Sequence, residues 1–167
     1  MIAMTAIDDL LANNQRYAAT FPGPRPGRPS RRVAVVACMD ARMDVYALLG
    51  LTPGEAHVIR NAGGAVTDDA LRSLTVSQRE LGTTEIMLIH HSLCGMQTFT
   101  DDHLKAEIQA DTGIRPPWAM EAFTDAEADV RQSIARVRAC PFLPHREMVR
   151  GFVFDVENGM LREVGPA

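Results

Sequence analysis

Short apolar runs along the chain predict the strands of a buried sheet. Val33–Ala37 is continuously apolar and rich in valine, and Glu85–Ile89 carries four apolar residues in a row. Runs of this kind are typical of strands that are covered on both faces, as in a parallel sheet. Two further strands are predicted at His57–Arg60 and Gly151–Val156, and a return strand is predicted near Met160–Val164.

Helical spacing of apolar residues separates these strands. Residues 5–18 repeat apolar side chains at Ile7, Leu10 and Leu11, and Thr67 stands as an N-cap before a helix that ends near Gly82. Further helices are predicted at 43–50, 101–112 and 125–139. Strands that alternate with helices imply right-handed crossovers, so the predicted fold class is α/β, with a mostly parallel central β-sheet flanked by helices.

The N-terminal helix is set apart from the rest of the chain by residues 21–32. This segment holds four prolines and two glycines, which exclude a regular helix or a central strand. We therefore expect an N-terminal helical arm and Pro-rich connector at 1–32 and a single α/β domain at 33–167. The arm must dock either on its own domain or on a partner subunit.

Composition narrows the classes of function. A length of 167 residues fits one domain with one core, and a net charge of -4 argues against non-specific nucleic-acid binding. The sequence contains no run of roughly 20 apolar residues that could span a membrane, and its start does not resemble a secretory signal. Three cysteines do not suggest a disulfide framework, so a reducing cytoplasm is the expected location.

Two segments carry residues with metal-binding chemistry. Cys38 directly follows the first predicted strand, and His91 and Cys94 follow the strand Glu85–Ile89. Ligands collect beyond the carboxyl ends of parallel strands, so these three side chains are expected to meet. Thiolate and imidazole are preferred zinc ligands, and three protein ligands with an open fourth position are typical of a catalytic zinc site, here one Zn²⁺ per chain.

Asp40 and Arg42 lie immediately after Cys38. A carboxylate near the metal can accept a hydrogen bond from the reacting water, and an arginine can hold that carboxylate ionised through two parallel hydrogen bonds. An ordinary ion pair is the alternative interpretation. His90 is expected to point away from the metal, since neighbouring side chains in a strand alternate between faces. The remaining candidates are interpreted as structural groups: Cys140, His57, His103 and His145.

Three motifs in order resemble the β-class carbonic anhydrases. The sequence reads CMDAR at 38–42, RNAGG at 60–64 and HHSLCG at 90–95, and the resemblance extends from about Arg32 to Val164. It is closest to the short, Cab-like branch of archaea and actinobacteria. His90, where glycine is common in the family, and Leu93, where a polar residue is frequent, depart from the pattern.

The resemblance implies a site, a reaction and an assembly. Cys38, His91 and Cys94 match the zinc ligands of the family, and Asp40 with Arg42 match its catalytic dyad. The implied activity is the reversible hydration of carbon dioxide to bicarbonate and a proton by hydroxide generated at zinc. The implied partner is a second copy of the chain, in a homodimer or a dimer of dimers, with the N-terminal helix packed across it.

Two other functions remain open at this point. Carbonyl sulfide hydrolases resemble the same branch, and the motifs do not separate the two substrates. A zinc-binding or redox-sensing protein without enzymatic activity is the alternative from another class, although Asp40 and Arg42 have no purpose in such a site. For either enzyme, two thiolates and a neutral histidine cancel the charge of Zn²⁺, so activity should rise with pH.

Overall fold

The computed structural model describes residues 4–165 and contains one five-stranded sheet. The strand order is β2-β1-β3-β4-β5, in which β1 to β4 are parallel and β5 runs antiparallel to β4 at one edge. The predicted α/β class is therefore confirmed. The strands are β1 Val33–Cys38, β2 Ala56–Asn61, β3 Glu85–His91, β4 Val149–Phe154 and β5 Leu161–Glu163.

In the described residues, one helix precedes β1, and four more helices and two short 3₁₀ turns connect the strands. Side-chain caps begin the helices as the sequence suggests: Thr67 Oγ1 accepts the N–H of Ala70 at the start of α3, as predicted. The helices are α1 Ala6–Ala19, α2 Val45–Leu49, α3 Asp68–Arg79, α4 Asp101–Thr112 and α5 Ala126–Ala139, and the turns are Ala62–Gly64 and Gly95–Gln97.

Apolar side chains cover both faces of the interior strand β1. Ala34 and Val36 face a cluster that includes Leu74 of α3 and Val137 of α5. On the other face of β1, Val35, Ala37 and Cys38 pack in a second cluster. Burial on both faces explains why β1 is a continuous apolar run. It also fixes the position of Cys38, the last residue of the strand.

All five strands differ from their predicted bounds by a residue or more, and the differences are largest at β3 and β4. β3 continues through His90 and His91, so the candidate ligand His91 is the last residue of the strand and does not lie in the loop that follows it. β4 begins at Val149, opposite Ile86, and ends at Phe154. It stops earlier than expected because the side chain of Asp155 accepts the N–H of Glu157 and closes a turn.

Helix α1 forms at the predicted place, but none of its residues is buried. Its apolar side chains Ile7, Leu10, Leu11 and Tyr17 are all more than half exposed. Within residues 4–165, no helix is both long enough and apolar enough to cross a bilayer.

Candidate metal centre

The carboxyl ends of two neighbouring strands bring the predicted ligands together. Cys38 is the last residue of β1, and His91 is the last residue of β3, which pairs directly with β1. Cys94 follows three residues later, just before the turn Gly95–Gln97. The expected meeting of the two segments at one sheet edge is confirmed.

The three side chains form a compact group of metal-binding atoms. The two sulfur atoms and one ring nitrogen of Cys38, His91 and Cys94 lie within 4.8 Å of one another, and all three residues are buried. Nδ1 of His91 donates to the carbonyl oxygen of Ser92 at 2.8 Å, which leaves Nε2 with its lone pair. This Nε2 atom is buried and has no hydrogen-bond partner among the described residues.

The electrostatics of the two thiols also fit a bound cation. A hydrogen bond from Cys94, aided by His91, lowers the pKa of Cys38 to about 4. The same hydrogen bond, in which the Cys94 thiol is the donor, raises the pKa of Cys94, and burial raises it further. A divalent cation between the sulfurs favours both thiolates at once. Two thiolates and one imidazole nitrogen form a donor set that suits Zn²⁺.

Asp40 and Arg42 form a bidentate ion pair beside this group. Nε of Arg42 donates to Oδ1 of Asp40 at 2.9 Å, and Nη2 of Arg42 donates to Oδ2 at 2.7 Å. These hydrogen bonds hold the pKa of Asp40 well below its ordinary value, so the carboxylate is ionised at neutral pH. Oδ2 of Asp40 lies 3.6 Å from Nε2 of His91, next to the metal-binding atoms.

Arg42 also connects the two segments of the site. Its Nη2 donates to the carbonyl oxygen of Leu93 at 3.0 Å. Leu93 has a φ angle of 53°, in the left-handed region that non-glycine residues rarely adopt. With this backbone conformation the carbonyl oxygen of Leu93 faces Arg42, and the chain turns between His91 at the end of β3 and Cys94.

His90 points away from the metal-binding group, as expected. Its Nε2 lies 2.6 Å from Oδ2 of Asp129 on α5, on the opposite face of the sheet from His91. Of the other groups interpreted as structural, His103 is exposed and pairs with Glu107, and the backbone N–H of His145 donates to Gln78. His57 bonds to the hydroxyl of Ser77, and Cys140 lies in the apolar core.

A small cleft opens next to the ligand group. Its volume is about 300 Å³, and its walls are mostly apolar. Its lining comprises Cys38, Met39, Asp40, Ala62, Gly63, Cys94, Gly95, Met96 and Phe99. Such a cleft accepts a small uncharged molecule beside the cysteines and leaves Asp40 at its polar margin.

Two residues of the RNAGG motif contribute to this site in ways that the sequence alone did not predict. Arg60 donates to the backbone carbonyls of Cys38 and Asp40. Gly64 packs against the backbones of β1 and β3. The motif itself was the only signal for both residues, because neither has the chemistry of a ligand or a general base.

Comparison with known proteins gives one consistent family. The family model described as carbonic anhydrase matches residues 33–161. β-Carbonic anhydrase 1 of Mycobacterium tuberculosis is 60% identical over 163 residues, which cover 98% of this chain and 100% of that protein. The similarity therefore includes the N-terminal region as well as the α/β domain.

A solved structure and a second group of relatives extend the comparison. The crystal structure of carbonic anhydrase from Streptococcus mutans superimposes with a TM-score of 0.91 at 40% identity, covering 98% of this chain and 100% of the other. The carbon disulfide hydrolase of Acidithiobacillus thiooxidans is 34% identical over 154 residues, covering 80% of this chain and 77% of that protein.

Proposed function

The chain belongs to the β-carbonic anhydrase family, and on that premise we propose that it catalyses the reversible hydration of carbon dioxide to bicarbonate and a proton. Cys38, His91 and Cys94 would hold the zinc ion. The observation that carries the proposal is this buried group, with its atoms within 4.8 Å of one another at the edge of an apolar cleft.

Zinc bound to these residues would act as a Lewis acid and lower the pKa of water, which would supply a hydroxide nucleophile whose fraction rises with pH. The protein must then orient the attacking water and admit the substrate. Asp40 is suited to the first task because its ionised carboxylate lies beside His91 and is a hydrogen-bond acceptor only. Arg42 fixes the direction of that carboxylate through two hydrogen bonds.

The cleft is suited to a linear, uncharged substrate. Met39, Ala62, Met96 and Phe99 supply apolar surface around the entrance to the ligand group. Carbon dioxide needs little more than such a surface, because it carries no charge and donates no hydrogen bond. Bicarbonate is charged, so an apolar wall favours its release into water.

Stopped-flow measurement of carbon dioxide hydration by the zinc-loaded protein tests the proposal. We expect Cys94→Ala to lower turnover by more than about 100-fold, because it removes a ligand rather than a supporting group. Cys140→Ala is the matched control: this cysteine is buried in the core and shares no contact with the site, so turnover and zinc content should remain. A wild-type protein that binds one zinc per chain and does not hydrate carbon dioxide would refute the proposed reaction.

Hydrolysis of a sulfur-containing analogue is the second candidate. The apolar cleft offers nothing that distinguishes carbon dioxide from carbonyl sulfide or carbon disulfide, and several relatives are named carbon disulfide hydrolase. The ratio of kcat/KM for carbon dioxide to that for each sulfur compound separates the candidates. A ratio below one would assign the sulfur compound as the substrate.

We also propose that the protein functions as a homodimer, or a dimer of dimers, through the arm at 1–32. The exposed apolar side of α1 needs a covering surface, and α1 buries no residue on its own domain. A suitable surface exists between α3 and the end of α5, where an apolar cavity of about 570 Å³ is lined by Leu71, Val76 and Phe142 among others. In this assembly the arm of one protomer packs on its partner.

A cytoplasmic location is proposed from the state of the cysteines. Cys38, Cys94 and Cys140 are all free and buried. Free thiols that bind metal are typical of a reducing compartment. Fractionation of the source cells tests this location.

A further inference from the structure

Arg60 holds the backbone that carries Cys38 and Asp40. Its Nε and Nη2 donate to the carbonyl oxygen of Cys38 at 2.9 and 2.8 Å, and Nη2 also donates to the carbonyl oxygen of Asp40 at 2.7 Å. The side chain comes from β2, where Arg60 lies opposite Ala37 of β1. One guanidinium group on the neighbouring strand thus contacts two backbone oxygens of the ligand segment.

These contacts lie at the point where backbone hydrogen bonds between β1 and β2 end. β1 ends at Cys38, and the last backbone bond to β2 is donated by the N–H of Met39 to the carbonyl of Asn61 at 2.8 Å. Arg60 then fixes the peptide group that precedes Met39 and the peptide group that follows Asp40. The direction of the Met39 side chain, which lines the cleft, and the position of Asp40 both depend on these two peptide groups.

The hydrogen bonds of Arg60 are directed at backbone rather than at an acidic partner. Among residues 4–165, no carboxylate lies within 4.0 Å of its guanidinium, whereas Arg42 and Arg31 each pair with one. A planar guanidinium can span two carbonyl oxygens, and a lysine ammonium acts from a single point. The arrangement therefore uses the shape of arginine.

We propose that Arg60 is a positioning residue for the reaction, which sets the Cys38–Asp40 segment so that the Cys38 sulfur and the Asp40 carboxylate lie at their working positions. This inference rests on the proposed function, but it concerns the geometry of the ligand segment and can be tested without turnover. Supporting groups around metal ligands commonly contribute about 10–100-fold to metal affinity or activity.

The test compares Arg60→Met and Arg60→Lys with Arg31→Met, a matched control in which an arginine paired with Glu55 is removed outside the site. Two quantities are measured: kcat and KM for carbon dioxide hydration by the zinc-loaded proteins, and the visible absorption of the cobalt-substituted proteins. Cobalt absorption reports the geometry of the thiolate ligands. We expect both Arg60 variants to lose about 10–100-fold in kcat with little change in KM, and to show altered cobalt spectra, while Arg31→Met matches the wild type.

Two results would overturn the inference. Wild-type kcat and a wild-type cobalt spectrum in Arg60→Met would show that the segment keeps its geometry unaided. Wild-type kcat in Arg60→Lys, with loss only in Arg60→Met, would assign Arg60 an electrostatic role that needs charge and not shape. If the wild-type protein does not hydrate carbon dioxide, the proposed function fails, and the cobalt spectra still decide the role of Arg60.

Discussion

Gly64 lies where the backbones of the two ligand-bearing strands come closest to the turn Ala62–Gly64. A Cβ atom at this position would be 2.8 Å from the amide nitrogen of Cys38 and 2.9 Å from the carbonyl oxygen of Ile89. Both contacts are with rigid backbone, and the φ angle of Gly64 is +69°, which side chains disfavour. We therefore predict that Gly64→Ala destabilises the protein by about 2–4 kcal/mol, as measured by urea unfolding.

Gly50 provides the control for this substitution. Its φ angle is +63°, but a Cβ atom added there would meet no other atom within 4 Å, so Gly50→Ala tests the conformational cost alone. That cost should be about 1–2 kcal/mol. The larger loss at Gly64 should also come with weaker zinc retention, because the displaced backbone belongs to Cys38. Equal losses of stability at the two glycines would show that the close contacts at Gly64 are relieved easily.

At the scale of elements, the ends of strands made the metal centre predictable. Cys38 and His91 each follow an apolar run, and the rule that parallel strands share a carboxyl edge is sufficient to bring them together. Strict alternation of side chains also predicted that His90 points away from His91. These inferences need only the order of elements and the two-residue period of a strand.

Contacts that depend on the register between distant elements were not predictable in the same way. The pairing of His90 with Asp129 requires the rotation of α5 about its own axis, and the contacts of Arg60 require the register of β2 against β1. The early end of β4 has a different, local cause. The side chain of Asp155 bonds to the N–H of Glu157 two residues later, and the apolar pattern of residues 151–156 did not show that this turn ends the strand at Phe154.

Helix α4 anchors the loop that closes one side of the site. The Asp101 carboxylate accepts the N–H groups of Met120 and Ala122 at 2.8 and 3.0 Å, and the same loop carries Phe123 into the cluster around Cys38. We predict that Asp101→Asn lowers the free energy of unfolding by about 1–2 kcal/mol at pH 7, because bonds to a charged acceptor become bonds to a neutral one.

The effect of Asp101→Asn should depend on pH. Burial raises the pKa of Asp101, but the N–H groups of Ala122 and Met120 outweigh burial, and the net direction is below the ordinary 3.8. A carboxyl group with a lowered pKa stabilises the fold above its unfolded pKa, and this contribution disappears as the pH falls through the folded pKa. The difference from wild type in urea unfolding should therefore narrow between pH 7 and about 3. Asp102→Asn, on the same helical turn but 94% exposed, should show little effect at either pH. A difference that stays constant with pH would contradict the role given to the Asp101 charge.

At the scale of the whole molecule, α1 needs an apolar surface to pack against, and its own domain does not provide one. The helix has 14 residues, and an isolated helix of that length is marginal in water. Its Thr5 capping box helps to begin the helix, but stability must come mainly from burying its apolar side. No residue of α1 is buried by its own chain, so the proposed second protomer supplies the missing surface.

This reasoning predicts that charges on the apolar side of α1 separate the protomers. Leu10→Glu with Leu11→Glu should convert the dimer or larger assembly to a species with the mass of one chain, as measured by sedimentation equilibrium. Ala12→Glu with Ala19→Glu adds the same charge to the other side of the helix and should leave the assembly intact. The wild type should also have a Tm that rises with protein concentration, because association stabilises the folded state, and the Leu10/Leu11 variant should lose that dependence. If both double variants keep the wild-type mass, the arm does not hold the assembly together, and the proposed role of α1 is refuted.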